Sequence, residues 1–256
     1  MRRDERFAVE GRARLDVNVP TGSIQVHVGE DGAVDVSIES TNTDEFEVTC
    51  IGNSVSVVQP SRWLMRSTNT RLVVRVPRGS DVEVRSASGD VELRGMLGAV
   101  RARTASGDVD AEHVGRLEAN TASGNARVAA ASGDASFNTA SGDVSLGRID
   151  GRLTASLASG DLRAEWTSGS VDVGTASGDV SIARCDGDEI VVKTVSGDIH
   201  LGLPSGIRVE PEIATLSGRT VLPEPSGAPS STTTRRVVRV RLRSVSGDIR
   251  IDRVAG

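Results

Sequence analysis

Carboxylates at a fixed spacing are the first chemistry this chain offers. Asp90, Asp108, Asp143, Asp161, Asp179 and Asp198 each follow a Ser-Gly pair, and Asn125 holds the same place in another copy of the phrase. Their glycines, Gly89, Gly107, Gly124, Gly142, Gly160, Gly178 and Gly197, stand 18, 17, 18, 18, 18 and 19 residues apart. If each interval is one coil of chain, the acids share one edge at the strand spacing of about 4.8 Å. Carboxylates that close repel unless they accept backbone N–H groups or share cations. The expected arrangement is a row of aspartate-capped bends, because Asp hydrogen-bonds nearby amides in turns. A divalent-cation ladder is the sharper alternative. Calcium-binding rolls carry G-G-x-G-x-D, however, and the doubled glycine is missing here.

Such an edge requires elements that stack the bends. Gly98, Gly115, Gly133, Gly151, Gly169 and Gly187 fall near the middle of the intervals, dividing each into two nine-residue halves. After each corner, apolar and polar residues alternate, as in a strand with one side buried. In register, Val91, Val109, Ala126, Val144, Leu162, Val180 and Ile199 form one inward column, with Leu93, Ala111, Val128, Leu146, Ala164, Ile182 and Leu201 beside it. Val100, Leu117, Ala135, Leu153, Val171 and Ile207 are expected to face them from the opposite sheet. Alanine recurs in these columns and Phe137 is their only aromatic, so the slot between the sheets is thin and Phe137 needs small neighbours.

The fold class is therefore all-β: a parallel β-solenoid with about 18 residues per turn in two halves. It is expected to be right-handed, the sense that parallel crossovers prefer. Residues 1–85 are expected to form an irregular β-rich section and cap, and residues 86–256 the solenoid. Ala13–Val19, Ser23–Val28 and Ala33–Glu39 alternate like strands, and Glu45–Cys50 with Ser54–Val58 predict a hairpin around Gly52-Asn53. Thr21-Gly22-Ser23-Ile24 already resembles a repeat unit. Trp63, Leu64 and Met65 are expected in a loop capping the open core. Pro223–Thr234 is rich in Pro, Ser and Thr and is expected as an exposed loop.

The other reactive side chains lack company. His113 and His200 are flanked by Ser and Asp that the repeat supplies anyway, and neither has a catalytic order of partners. Cys50 and Cys185 sit in unlike contexts with no Cys or His nearby, which predicts neither a disulfide nor a metal site. Trp166 is the one candidate sugar platform in the array, and its place suggests a strand end or corner. The Thr104, Thr121, Thr139, Thr175 and Thr194 column is expected to bond the adjacent turns. Arg94 beside Glu112 and Arg101 beside Glu118 are expected as cross-strand pairs. In the last strand, alternation puts Arg239, Arg241 and Arg243 on one face, either a stripe for an acidic partner or a charged edge that resists strand addition.

Composition narrows the function classes. Across 256 residues the net charge is −5, which argues against nucleic acid or an acidic membrane as partner. Aromatics are 2% with no tyrosine, too few for a large globular core or for rows of sugar-stacking rings. No leader-like segment and no run of eighteen apolar residues occurs, so a cytoplasmic protein without membrane insertion is expected.

The strand ending in Val76-Pro77, then Val82-Glu83-Val84 and the serial Ser-Gly-Asp-Val phrases, resembles the DUF4097 family of bacterial β-strand repeat proteins, known as adhesin-like. The resemblance extends over Phe7–Asp252 and implies a β-helix-like fold without established catalytic activity. It implies no functional residues, since its Ser-Gly-Asp is a turn motif. The expected function is a non-catalytic scaffold or protein-interaction module, binding an unidentified protein or itself, with no cofactor and no metal. End-to-end polymerisation is a variant that a capped N-terminal region disfavours. The alternative is a metal-dependent glycan-binding protein, or an enzyme acting on polysaccharides, working through the acidic edge.

Overall fold

The computed structural model describes residues 1–60, 70–223 and 236–254. Trp63, Leu64, Met65 and all but the first residue of the 223–234 loop lie outside them. The repeat array winds as the spacing requires. Strands β9 (Asp90–Thr104) and β10 (Val109–Thr121) each pass unbroken through the second corner. Every later coil divides into two: β11 (Ala126–Ala131) and β12 (Ala135–Ser141), β13 (Val144–Ile149) and β14 (Leu153–Ser159), β15 (Leu162–Thr167) and β16 (Val171–Ser177), β17 (Val180–Cys185) and β18 (Glu189–Ser196), then β19 (Ile199–Pro204). One sheet stacks β9-β10-β11-β13-β15-β17-β19 and the other β9-β10-β12-β14-β16-β18, all parallel.

Register brings both inward columns together residue for residue, from Val91 and Leu93 to Ile199 and Leu201. Phe137 is buried with Ala119 on one side and Ala155 on the other, the small neighbours its volume demands. A third buried column, Leu97, Val114, Ala131, Ile149, Thr167 and Cys185, lines the second corner. The opposite sheet departs from expectation at one position. Ile190, not Ile207, follows Val171, and Ile207 is only partly buried at the end of the stack. The chain has already left this coil there.

A bulge alters one ion pair. Strand β9 carries one extra residue against Ala111–His113, taken up at Gly95, whose φ of 85° favours glycine. Arg94 therefore bonds Glu92 (2.8 Å) and Asp110 (3.1 Å), and Glu112 accepts the Gly95 N–H instead. The Arg101–Glu118 pair forms as expected, at 2.8 Å.

The two ends are assembled out of chain order. At the start lie β1 (Arg2–Ala8), β2 (Arg14–Asn18), β3 (Ser23–Val28), β4 (Ala33–Glu39), β5 (Glu47–Ile51), β6 (Ser54–Val58), β7 (Arg71–Val76) and β8 (Asp81–Arg85). Strand β2 sits between β6 and β8, and β3 between β7 and β9, all parallel. Coil 14–28 is thus wedged between the later coils 54–76 and 81–94. Antiparallel β4 and β1 extend one sheet, and β5 closes the hairpin with β6. The chain finishes with β20 (Arg208–Ser217), β21 (Thr220–Val221), β22 (Val237–Ser246) and β23 (Ile249–Val254). Here β22 pairs with both β18 and β20, and β23 with both β19 and β21. The last coil is wedged inside the one before it. A single hydrophobic cluster runs through all of these coils from Val9 to Ile251.

Candidate functional site

The acidic edge forms one continuous line, and its chemistry goes into the backbone. Asp90 Oδ1 accepts the Asp108 N–H (3.0 Å), Asp108 Oδ1 the Asn125 N–H (2.8 Å), and Asn125 Oδ1 the Asp143 N–H (3.0 Å). The chain of bonds continues from Asp143 to Asp161 (2.9 Å), Asp161 to Asp179 (2.9 Å) and Asp179 to Asp198 (2.8 Å). It then follows space, not sequence, from Asp198 to the Asp248 N–H and from Asp248 to the Arg219 N–H, both at 2.7 Å. Asn125 shows what each rung supplies: a neutral amide serves as well as a carboxylate, so the required feature is an acceptor oxygen. Among the described residues, no three His, Cys, Asp or Glu side chains converge as a cation site.

The glycines of the same corners are set by close stacking. A Cβ on Gly107 would lie 2.0 Å from the Gly89 carbonyl oxygen, and one on Gly178 would lie 2.1 Å from that of Gly160. The corner nevertheless exists in two forms. Thr104 Oγ1 accepts the Gly107 N–H (2.9 Å) and Thr121 Oγ1 the Gly124 N–H (2.8 Å). From Gly142 onward the glycine N–H reaches a serine carbonyl of the next coil, as Gly178 does with Ser196 at 3.0 Å. Gly160, Gly178 and Gly197 then adopt φ of 128–149°. In this second form Thr139, Thr175, Thr194 and Ser244 are buried, and their hydroxyls have no hydrogen-bond partner among the described residues. The expected bonding of that threonine column to the turns thus holds only for its first two members.

The arginine stripe does not lie on a sheet edge. Strand β22 is interior, between β18 and β20, so Arg239, Arg241 and Arg243 do not mark a sheet edge. Glu212 accepts from both Arg241 Nε and Arg243 Nη2, and Arg239 lies in register between Glu189 and Glu210. Paired arginines hold the Glu212 carboxyl below its usual range, Arg241 contributing most. A shallow cleft over this face is lined by acids and arginines alike.

The remaining groups are structural in setting. Trp166 is half-buried at the end of β15, with the Arg148 guanidinium stacked 4.0 Å from its ring centroid and its Nε1–H donating to Asp186 (2.6 Å). One face of the ring is therefore covered. His200 points outward beside Ser181 and meets Asp252 at 2.7 Å. Cys185 is buried, which raises its thiol pKa, and Cys50 is half-buried; neither forms a disulfide.

One exposed feature escaped sequence reasoning. The residue before each Ser-Gly points outward, and in spatial order the column runs Ala105, Ala122, Ala140, Ala158, Ala176, Val195, Val245, Leu216. Val195, Val245 and Leu216 are 54%, 45% and 86% exposed. The signal was the second residue of the repeated Thr-Ala-Ser-Gly phrase, which grows from Ala to Val to Leu.

Among curated proteins no sequence matches this chain. A crystal structure from Parabacteroides distasonis, described as a putative lipid binding protein, shares 14% identity over 99% of this chain and 96% of its own, with a TM-score of 0.50. A Bacteroides fragilis protein, described as a putative adhesin, shares 13% identity over 98% of this chain and 97% of its own, with a TM-score of 0.44. No helix among the described residues is long and apolar enough to cross a membrane. The family model described as Toastrack DUF4097 matches residues 13–252, and with its stacked glycine corners and parallel coils the chain belongs to that family.

Proposed function

We propose that the protein is a non-catalytic scaffold that presents the outer surface of a stiff solenoid to a protein partner. The observation that carries this reading is the amide ladder: the side chains that recur most regularly each have an oxygen committed to the neighbouring coil's backbone. What recurs at the surface is instead a flat row of small apolar residues beside serines, enlarging at Val195 and Val245. An apolar row flanked by hydroxyls suits a protein surface, which buries the row and hydrogen-bonds its margin. Open clefts lined by paired charges suit no small ligand in particular.

The test is proximity cross-linking in the native cell with the wild-type chain and with Val195→Lys/Val245→Lys. Both positions are exposed, so folding is retained and the captured partner is expected to fall at least about tenfold, as for a desolvated contact worth more than 1.4 kcal/mol. Turnover of a polysaccharide panel, or stoichiometric metal retained after dialysis, would overturn the reading in favour of chemistry at the aspartate edge.

A further inference from the structure

The two end faces of the stack differ in what they turn toward the open slot between the sheets. At the N-terminal end, β1 turns Arg3, Glu5 and Phe7 inward over Ile38, Val36 and Val34. Arg3 pairs with Glu5 and donates to the Phe46 carbonyl at 2.9 Å. An inward ion pair on an edge strand blocks further strand addition, because a new layer would bury the charges. At the other end, in the opposite sheet, β20 turns Val209, Pro211 and Ile213 inward over Val238, Val240 and Leu242, with no charge among them. Val209 and Ile213 remain half-exposed, and Leu216, Val221 and Leu222 are 86%, 43% and 49% exposed around them. The described residues leave this ten-residue strand with one free side.

We propose that this C-terminal end face is where two copies of the chain pair, β20 against β20 antiparallel about a two-fold axis at Ile213. Arg208 N–H donates to Arg236 O, just before β22, so the even-numbered residues of β20 point their amides at β22 and the odd-numbered ones turn theirs to the free side. Val209, Ile213 and Thr215 thus offer N–H groups there, and Pro211 offers only its carbonyl. Charge selects the register. Centring on Glu212 sets Glu212 against itself, and centring on Pro211 sets Glu210 against Glu212, both like-charge contacts. Centring on Ile213 sets Glu212 opposite Ala214 and Glu210 opposite Leu216. It also keeps the inward residues of both copies on one side, so the apolar slot continues across the axis.

The Arg3–Glu5 pair closes the other sheet, whose C-terminal edge is the two-residue β21, while the N-terminal edge of the β20 sheet is β5, with Val48 and Cys50 turned to the core. A two-fold contact of β20 with itself is complete with two copies, so it gives a closed dimer and not a fibre. Leu216 also ends the outward apolar column, so the two readings are told apart by self-association of the purified chain, where no outside partner is present.

Sedimentation equilibrium of the full chain tests it. The expected mass is twice 26.7 kDa at about 100 µM chain. Leu216→Glu, which faces Glu210 of the other copy, should weaken the dimer at least tenfold, and adding Glu210→Lys should restore it. Ile51→Lys, at the opposite end and 81% exposed, should leave the mass unchanged. Amide exchange at Val209, Ile213 and Thr215 should slow as concentration rises. A monomer at that concentration, mass that grows without limit, a dimer indifferent to Leu216→Glu, or one dissolved by Ile51→Lys overturns the proposal.

Discussion

Thr104-Ala105-Ser106-Gly107-Asp108 and Thr175-Ala176-Ser177-Gly178-Asp179 are the same five residues, yet they make different corners. In the first the threonine hydroxyl takes the glycine N–H; in the second that N–H crosses to Ser196, the strand runs on through Ser177, and the Thr175 hydroxyl is buried unbonded. The corner's own sequence therefore does not choose its backbone. Leu157 stands between Thr139 and Thr175 in the threonine column, within the second set, and has no hydroxyl to offer Gly160. Its coil must satisfy that N–H elsewhere, and the coils stacked on it continue the new pattern, with Gly142 already donating to Ser159 at 3.2 Å. In a solenoid each turn is a template for the next, so one substitution propagates along the axis.

Glycine replacement should break this contrast most severely. Gly107→Ala and Gly178→Ala both drive a methyl group into the carbonyl of the neighbouring coil and should each cost several kcal/mol, of the order seen for severe overpacking. Only Gly178 also has φ at 149°, a glycine-only region whose strain adds about 1–3 kcal/mol. Urea midpoints for the two variants should differ in that direction, and equal midpoints would mean the two corner backbones are energetically alike.

Threonine replacement sharpens it with opposite signs. Thr104→Val removes the acceptor of a buried N–H and should cost about 1–2 kcal/mol. Thr175→Val removes a buried hydroxyl that bonds nothing and should be neutral or stabilising by up to about 1 kcal/mol. Thermal unfolding of the pair decides it: destabilisation by both would show that the second hydroxyl is satisfied in solution.

The aspartate rungs continue across both corner forms, so they should respond alike. Asp143→Asn should change stability by less than about 0.5 kcal/mol, as Asn125 already demonstrates the exchange, while Asp143→Ala should cost about 1 kcal/mol. The smallest effect is that of acid. Asp134, at the second corner, is held below the usual carboxylate value first by the Arg152 N–H and then by Arg116, and Glu118 first by Arg101. A carboxyl whose folded pKa is depressed contributes fully above its unfolded value near 4, and the contribution fades as pH falls through the folded value. These groups lie near solvent, so the melting temperature should decline only gently below about pH 4.

The array was legible because its period does two jobs. Eighteen residues fix which side chains stack, and alternation fixes which of them face inward, so Val91 through Ile199 and the aspartate edge follow from spacing alone. Alternation says nothing about which coil lies next to which. Strand β22 has the pattern of any strand here, and its insertion between β18 and β20 depends on a long excursion whose sequence carries no pairing information. The same blindness placed Ile207 in a column that Ile190 occupies, and left a sheet edge as one of two readings of the three arginines, which are flanked on both sides. The corner switch was hidden for a related cause: Leu157 breaks the threonine column by a single residue in an otherwise apolar-tolerant position.

Wedging the first and last coils beneath their neighbours changes how the molecule bears load. In a sequentially wound stack, tension on the two ends of the polypeptide would unwind the outermost coil first, a few ladder bonds at a time. At the C-terminal side that tension reaches coil 237–254, clamped along both sides by parallel partners, whereas at the N-terminal side it first meets β1, an edge strand paired with β4 alone among the described residues. Parallel ladders pulled along their strands yield by shearing many bonds together, and the coil outside 237–254, namely 208–221, is tethered at both of its own ends. Pulled from both ends, the stack should hold at its last coil and give way first at β1.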